Sequence, residues 1–290
     1  MGNLIRANFR TLRSNRLLLI CIVIFVFIIA SDVSFFWDLR DKYDSLNVLT
    51  NSSMTVVIAV GCIVPFIVGA DFEGGMIRNK IMAGYSKFQI YIASFITSLV
   101  VTEIFTIFTV VMSVKEIVDS VGVSRFVRWF GDSNYKAVFV HIIIWYLAIC
   151  LAYTALSTAL IMISENKAIS IVGLISVVLV FSITTGSLRR FATDTEKEFV
   201  SINEQNELII ESNPYYVAPD DPMKKVYVTI DSLDVVGQVV FTPEQEVFDE
   251  NDMNDKGHYE LSSRYALGSV AMTILLTALG LVVFKRRNLK

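Results

Sequence analysis

Histidine, cysteine and charge are all scarce in this chain, and each scarcity narrows what it can be. The two histidines, His141 and His258, sit in an apolar run and an acidic stretch, so neither a histidine-based hydrolase nor a metal site is expected from them. The three cysteines, Cys21, Cys62 and Cys150, all fall inside apolar runs; they read as small buried residues, and no disulfide framework or CxxC metal site can be drawn from them. The chain contains no GxxxxGK[ST] phosphate cradle, no HExxH and no GxSxG, so it is not a P-loop ATPase on its own. Charged residues make up 18% of the 290 positions, against 54% hydrophobic ones and a mean hydropathy of +0.57. An ordinary soluble domain is about 45–50% apolar. Membrane residence is therefore the first positive conclusion, and an enzyme is not expected. The first apolar run lacks a small-residue cleavage site, so a signal peptide is not expected either.

What is present is a series of apolar runs separated by short polar segments. Residues 2–16 place Leu4, Ile5, Phe9 and Leu12 in one sector of a helical wheel and Arg6, Arg10 and Arg13 opposite. That is the pattern of a helix lying flat at the headgroups; a basic flank that only orients the first span is the alternative. Apolar runs follow at 17–30, 54–70, 90–114, 137–163, 168–186 and 265–284. The first is short for a ~30 Å hydrocarbon core unless it extends through Trp37. Six transmembrane helices are expected. Arg6, Arg10, Arg13, Arg16, Arg78, Lys80, Lys87, Lys167, Lys285, Arg286, Arg287 and Lys290 all fall on one side, which places both termini in the cytoplasm.

Several positions within the runs carry further expectations. Gly61, Pro65 and Gly69 recur every four residues and permit either a functional kink or close packing. Ala148, Ala152, Ala155 and Ala159 form a small-residue stripe, expected to be a helix seam with a partner in this chain or another. Glu103 lies well inside the third run, where an ionisable group must face protein or water; it reads either as part of a substrate pathway or as a hydrogen-bonded clamp between helices. His141 is the candidate partner, placed nearer the outer surface. Residues 115–136 interleave Phe126, Val127, Trp129 and Phe130 with Arg125 and Arg128, as expected of a segment resting on outer headgroups.

Composition shifts sharply after the fifth run. Residues 188–263 hold seventeen acidic side chains against six basic ones and four of the five prolines, with β-rich runs at 226–230 and 235–241. A small mixed α/β extracytoplasmic domain is expected there, dividing a membrane part at 1–187 from a last span and basic tail at 264–290. Its acidity would attract a cationic ligand or simply keep it soluble.

The stretch with the most information is 71–91, DFEGGMIRNKIMAGYSKFQIY, between the second and third runs. Its charges and glycines cannot lie in hydrocarbon, so it belongs at one membrane face, and Arg78, Lys80 and Lys87 mark that face as cytoplasmic. Phe72, Glu73, Gly74, Gly75, Ile77, Arg78, Asn79, Lys80, Gly84 and Ser86 resemble the signature that follows the second span of ABC-2 type permeases, the membrane subunits of bacterial ABC transporters, with Met76 in place of a frequent threonine and Lys87 of an arginine. The resemblance implies a permease subunit of an ATP-driven exporter in the bacterial plasma membrane. Its partners would be separate ATPase subunits, which hold ATP and Mg, together with a second permease copy or homologue, the lipid bilayer and a transported peptide, drug or lipid; no nucleic acid is implied. The 71–89 loop would be the coupling helix: Gly74 and Gly75 turning the chain, Met76, Ile77, Ile81 and Met82 forming an apolar plug, and Arg78, Asn79 and Lys80 supplying polar contacts. From another class, a membrane sensor or scaffold with an external ligand-binding domain is the alternative.

Overall fold

The computed structural model describes residues 1–33, 45–46, 48–49, 52–193, 197–202, 208–214, 216–234, 238 and 256–286. It is almost entirely helical. In chain order the helices are α1 (Gly2–Ser14), α2 (Arg16–Val33), α3 (Ser53–Glu73), α4 (Met76–Met82), α5 (Lys87–Val121), α6 (Val123–Phe130), α7 (Ser133–Ser164), α8 (Lys167–Thr193), α9 (Pro222–Leu233) and α10 (Lys256–Arg286). Among the described residues one antiparallel pair of strands, β1 (Lys197–Ile202) with β2 (Leu208–Ser212), pairs Lys197 with Ser212 and Ile202 with Leu208.

All six apolar runs are helical, but they are not equally long. Among the described residues, α3, α5, α7 and the Arg264–Arg286 part of α10 are long and apolar enough to cross a membrane. The α1–α2 pair, bent by 76° at its junction, brings the number to five if taken as one span. The chain is thus a multi-pass helical protein by length and composition.

Local chemistry explains where the helices begin. Ser86 and Gln89 form a reciprocal capping box at the start of α5. The side chain of Asp132 accepts from the Asn134 amide to open α7. Asn166 accepts from the amides of Ala168 and Ile169 and so opens α8, directly after Glu165 has turned the chain at φ 57°.

The long helix α7 sits at the centre, packed against α3, α5, α8 and most extensively α10. Its alanine stripe is buried at every position. The partner is in the same chain: a Cβ added to Gly280 of α10 would collide with the Ala159 Cβ and the Tyr91 hydroxyl. On α3, Gly61 and Gly69 serve close packing, because added carbons there would run into Leu174 and the Lys167 stem. Pro65 is accommodated inside α3, and the neighbouring Phe66 carbonyl accepts from Asn15 at the α1–α2 junction.

Three expectations change. The run 226–230 is part of α9, not a strand. Asp221 accepts from the Met223 amide at 2.8 Å and Pro222 occupies the first turn, so a strong helix start overrides the β-branched preference of Val226, Val228 and Ile230. Of 235–241, Gln238 alone lies within the described residues. The acidic insert does not stand wholly apart from the bundle either, because α9 packs along α8 and α10 and stacks Tyr227 on Phe191 with centroids 5.1 Å apart. Finally, α5 continues to Val121, and the α6 aromatics turn inward: Phe126 and Phe130 pack on Phe139, and Trp129 on Tyr135.

Candidate functional site

The 71–89 loop folds as a compact handle beneath the bundle. Helix α3 ends at Glu73, Gly74 follows, and Gly75 takes the left-handed conformation at φ 63° to reverse the chain into α4. A residue with a Cβ would be strained there, which accounts for glycine at this position. Gly84, at φ 88°, makes the second turn before the Ser86 cap of α5.

A seven-residue helix divides its side chains sharply between two faces. Ile77 is 3% exposed and joins the main hydrophobic core, with Ile81 packed beside it. Lys80 points the same way. Its ammonium lies 2.5 Å from an Asp71 carboxylate oxygen and donates to Asn8 Oδ1 at 2.8 Å. Asn8 in turn donates through Nδ2 to the Thr97 hydroxyl at 3.3 Å. One largely buried lysine therefore ties α4 to α1 and α3, and through Asn8 to α5. A second ion pair, Lys167 to Glu73 at 2.6 Å, ties the start of α8 to the end of α3, while the Lys167 ammonium sits 5.6 Å from the centre of the Phe66 ring. Lys87 donates to the Lys285 carbonyl at 3.3 Å and links α5 to the end of α10.

Among the described residues, the opposite face makes no such ties. Gly75, Arg78, Asn79 and Met82 follow an i, i+3, i+4, i+7 stripe, and all four are exposed, Met82 at 71%. Met76 is half-buried, and Phe72 packs against the core. The expected apolar plug is therefore split. Ile77 and Ile81 belong to this chain's own packing, Lys80 is internally paired, and Arg78, Asn79 and Met82 present the outward surface.

Asn8 is the participant that sequence reading missed. It interrupts the apolar sector of α1 between Leu4 and Leu12 at helical spacing, and it is 6% exposed. A polar residue in the middle of such a sector was the available signal, because a buried amide must find partners. The same geometry shows that the Leu4–Asn8 side of α1 docks on α5, while Arg6 and Arg10 remain exposed.

The structure does not unite the two intramembrane candidates. Glu103 is half-buried on α5, next to a seam in which the Thr102 and Thr154 hydroxyls lie 2.8 Å apart. Its Oε2 is shielded from solvent and has no hydrogen-bond partner among the described residues. His141 sits on α7 with Nδ1 2.8 Å from the Ala137 carbonyl oxygen. Since Thr102 is level with Thr154, His141 lies thirteen residues away along α7, or about 20 Å at 1.5 Å per residue. The seam itself runs along α5 as Ser94, Ser98, Thr102, Thr106, Thr109 and Ser113, all at most 1% exposed. Among the described residues no group of three or more His, Cys, Asp or Glu side chains could hold a metal ion.

No protein-family model matches the chain, and no curated protein or solved structure matches it either.

Proposed function

We propose that the chain is the permease subunit of an ATP-driven exporter and that α4 is where a separate ATPase subunit grips it. In this reading the chain crosses a bacterial plasma membrane six times with both termini in the cytoplasm, pairs with a second permease, and carries an amphipathic or cationic peptide, a drug or a lipid. The observation that carries the reading is the two-faced handle. A docking helix useful for transmitting force needs an exposed surface for its partner and a stiff connection to the membrane body. Gly75, Arg78, Asn79 and Met82 supply the first, and the Lys80–Asp71–Asn8 and Lys167–Glu73 ties supply the second. A push on α4 would move α1, α3 and α5 together, because opening the buried lysine junction strands a charge.

The discriminating experiment compares Arg78→Glu with Ile77→Glu. Arg78→Glu should leave the amount of folded protein unchanged and abolish co-purification with the ATPase, or stimulation of its turnover. Ile77→Glu should reduce folded protein itself. An Arg78→Glu variant that keeps full ATPase association and stimulation would remove α4 as the docking element.

A further inference from the structure

A second built contact lies between the acidic insert and the end of the α7–α10 seam near Trp145 and Ser269. Tyr265 of α10, 2% exposed, donates its hydroxyl to Asp231 Oδ2 at 2.6 Å. The Gln238 side chain, also 2% exposed, is engaged through both ends of its amide. Its oxygen accepts from Trp145 Nε1 of α7 at 3.2 Å and from the Ser269 hydroxyl of α10 at 3.1 Å, and its nitrogen donates to the Ser232 carbonyl at 2.9 Å. The third observation is steric. Gly268 faces the Ser232 carbonyl so closely that an added Cβ would overlap that oxygen. Three independent features of α7 and α10, namely a tyrosine, a Trp–Ser donor pair and a missing side chain, are thus shaped to one segment of the insert.

The two ends of the α7–α10 contact differ in kind. Toward Ala159 and Gly280 the helices meet through small groups with no room for an added atom. Toward Trp145 and Ser269 they are held by hydrogen bonds through an inserted amide. Small-residue packing is lost all at once when helices separate, whereas hydrogen-bonding groups can exchange partners with water or another acceptor.

We propose that Asp231, Ser232 and Gln238 form a latch that closes the α7–α10 cleft and that releasing it exposes Trp145, Tyr265 and Ser269. The open cleft presents the indole N–H and two hydroxyls, so an occupant displacing the latch has to offer acceptors, as a carboxylate or an amide carbonyl does, and a purely cationic group finds no partner on those donors. The inference does not depend on what, if anything, the chain transports.

The test is thiol accessibility in the purified full-length protein in detergent, with the three native cysteines replaced by serine or alanine and Ala266→Cys as the reporter, a buried α10 position on the same helix face as Ser269 that makes none of these contacts. A charged, water-soluble maleimide should label the reporter slowly. Tyr265→Phe removes one donor to the carboxylate and should speed labelling about ten- to a hundredfold, as expected for loss of one hydrogen bond to a charged group. Gly268→Leu displaces Ser232 without removing a polar group and should do the same, while monodispersity shows that the bundle is intact. Pairing Tyr265→Phe with Asp231→Leu should return labelling toward the slow rate, since the polar pair is then replaced as a whole by apolar groups. Rapid labelling in the parent would overturn the proposal, because the cleft would not be closed. Unchanged slow labelling in both monodisperse single variants would also overturn it, showing that the segment is fixed packing rather than a latch.

Discussion

Replacing Lys80 by methionine tests the stiffness of the handle directly. The substitution keeps the aliphatic stem, removes the cation 2.5 Å from Asp71, and leaves Asn8 Oδ1 without its 2.8 Å donor. Removing one member of a buried ion pair costs about 3–5 kcal/mol, because the remaining charge is stranded. The Lys80 and Asp71 side chains are 12% and 5% exposed, so little solvent can reach the orphaned carboxylate and the full penalty should largely apply. With each kcal/mol lowering Tm by ~2–4 °C in a chain of this size, the expected fall is about 6–20 °C. The assay is thermal melting of the detergent-solubilised protein followed by size-exclusion chromatography. The informative comparison is Lys80→Met with Asp71→Leu, which removes both charges. It should recover most of the loss, to within ~1 kcal/mol of the parent, because apolar replacement of a whole buried pair is often nearly neutral. A single variant that melts with the parent, or a double variant whose loss equals the sum of the two singles, would refute the idea that this pair is a coupled, buried junction.

Other outcomes follow from the packing. Lys115→Met should leave Tm unchanged despite the 2.6 Å pair with Asp119, since the two side chains are 61% and 58% exposed and solvent screens the contact. Gly280→Val should destabilise the bundle by about 1–3 kcal/mol through collision with Tyr91 and Ala159, and adding Tyr91→Phe to it should relieve part of that cost in the same melt. A double-mutant cycle on Thr102→Val and Thr154→Val should give a coupling of about 0.6 kcal/mol, the usual size for a hydrogen bond between membrane helices; a value indistinguishable from zero would place the two hydroxyls apart. Gly75→Ala should cost about 1–2 kcal/mol from its left-handed backbone alone, a loss that Gly2→Ala, at an ordinary helical position, would not show.

Much of the architecture was legible in the residues. Each apolar run became a helix because hydrocarbon-compatible segments of that length satisfy their backbone only in that way. The buried stripe of Ala148, Ala152, Ala155 and Ala159 followed from spacing, whereas the turn at Gly74 and Gly75 was an expectation implied by the resemblance. The run 226–230 was misread because β-branched residues suit either geometry, and the capping at Asp221 and Pro222 was not weighed against them. In the handle, composition marked every residue, but it did not separate the face that holds the bundle from the face turned away.

The order of apolar and polar stretches determined by itself that this is a multi-pass helical protein with a basic, glycine-turned handle after its second apolar run. Only the tertiary structure decided that Lys80 and Ile77 belong to the interior, that Asn8 joins them, that Glu103 and His141 are far apart, and that Asp231 and Gln238 reach back between α7 and α10. The physical reason is one of range. Helix formation and lipid compatibility are set by residues within a turn or two of each other, whereas a buried charge or amide is stabilised by partners from distant parts of the chain, and those partners are known only once the helices have packed.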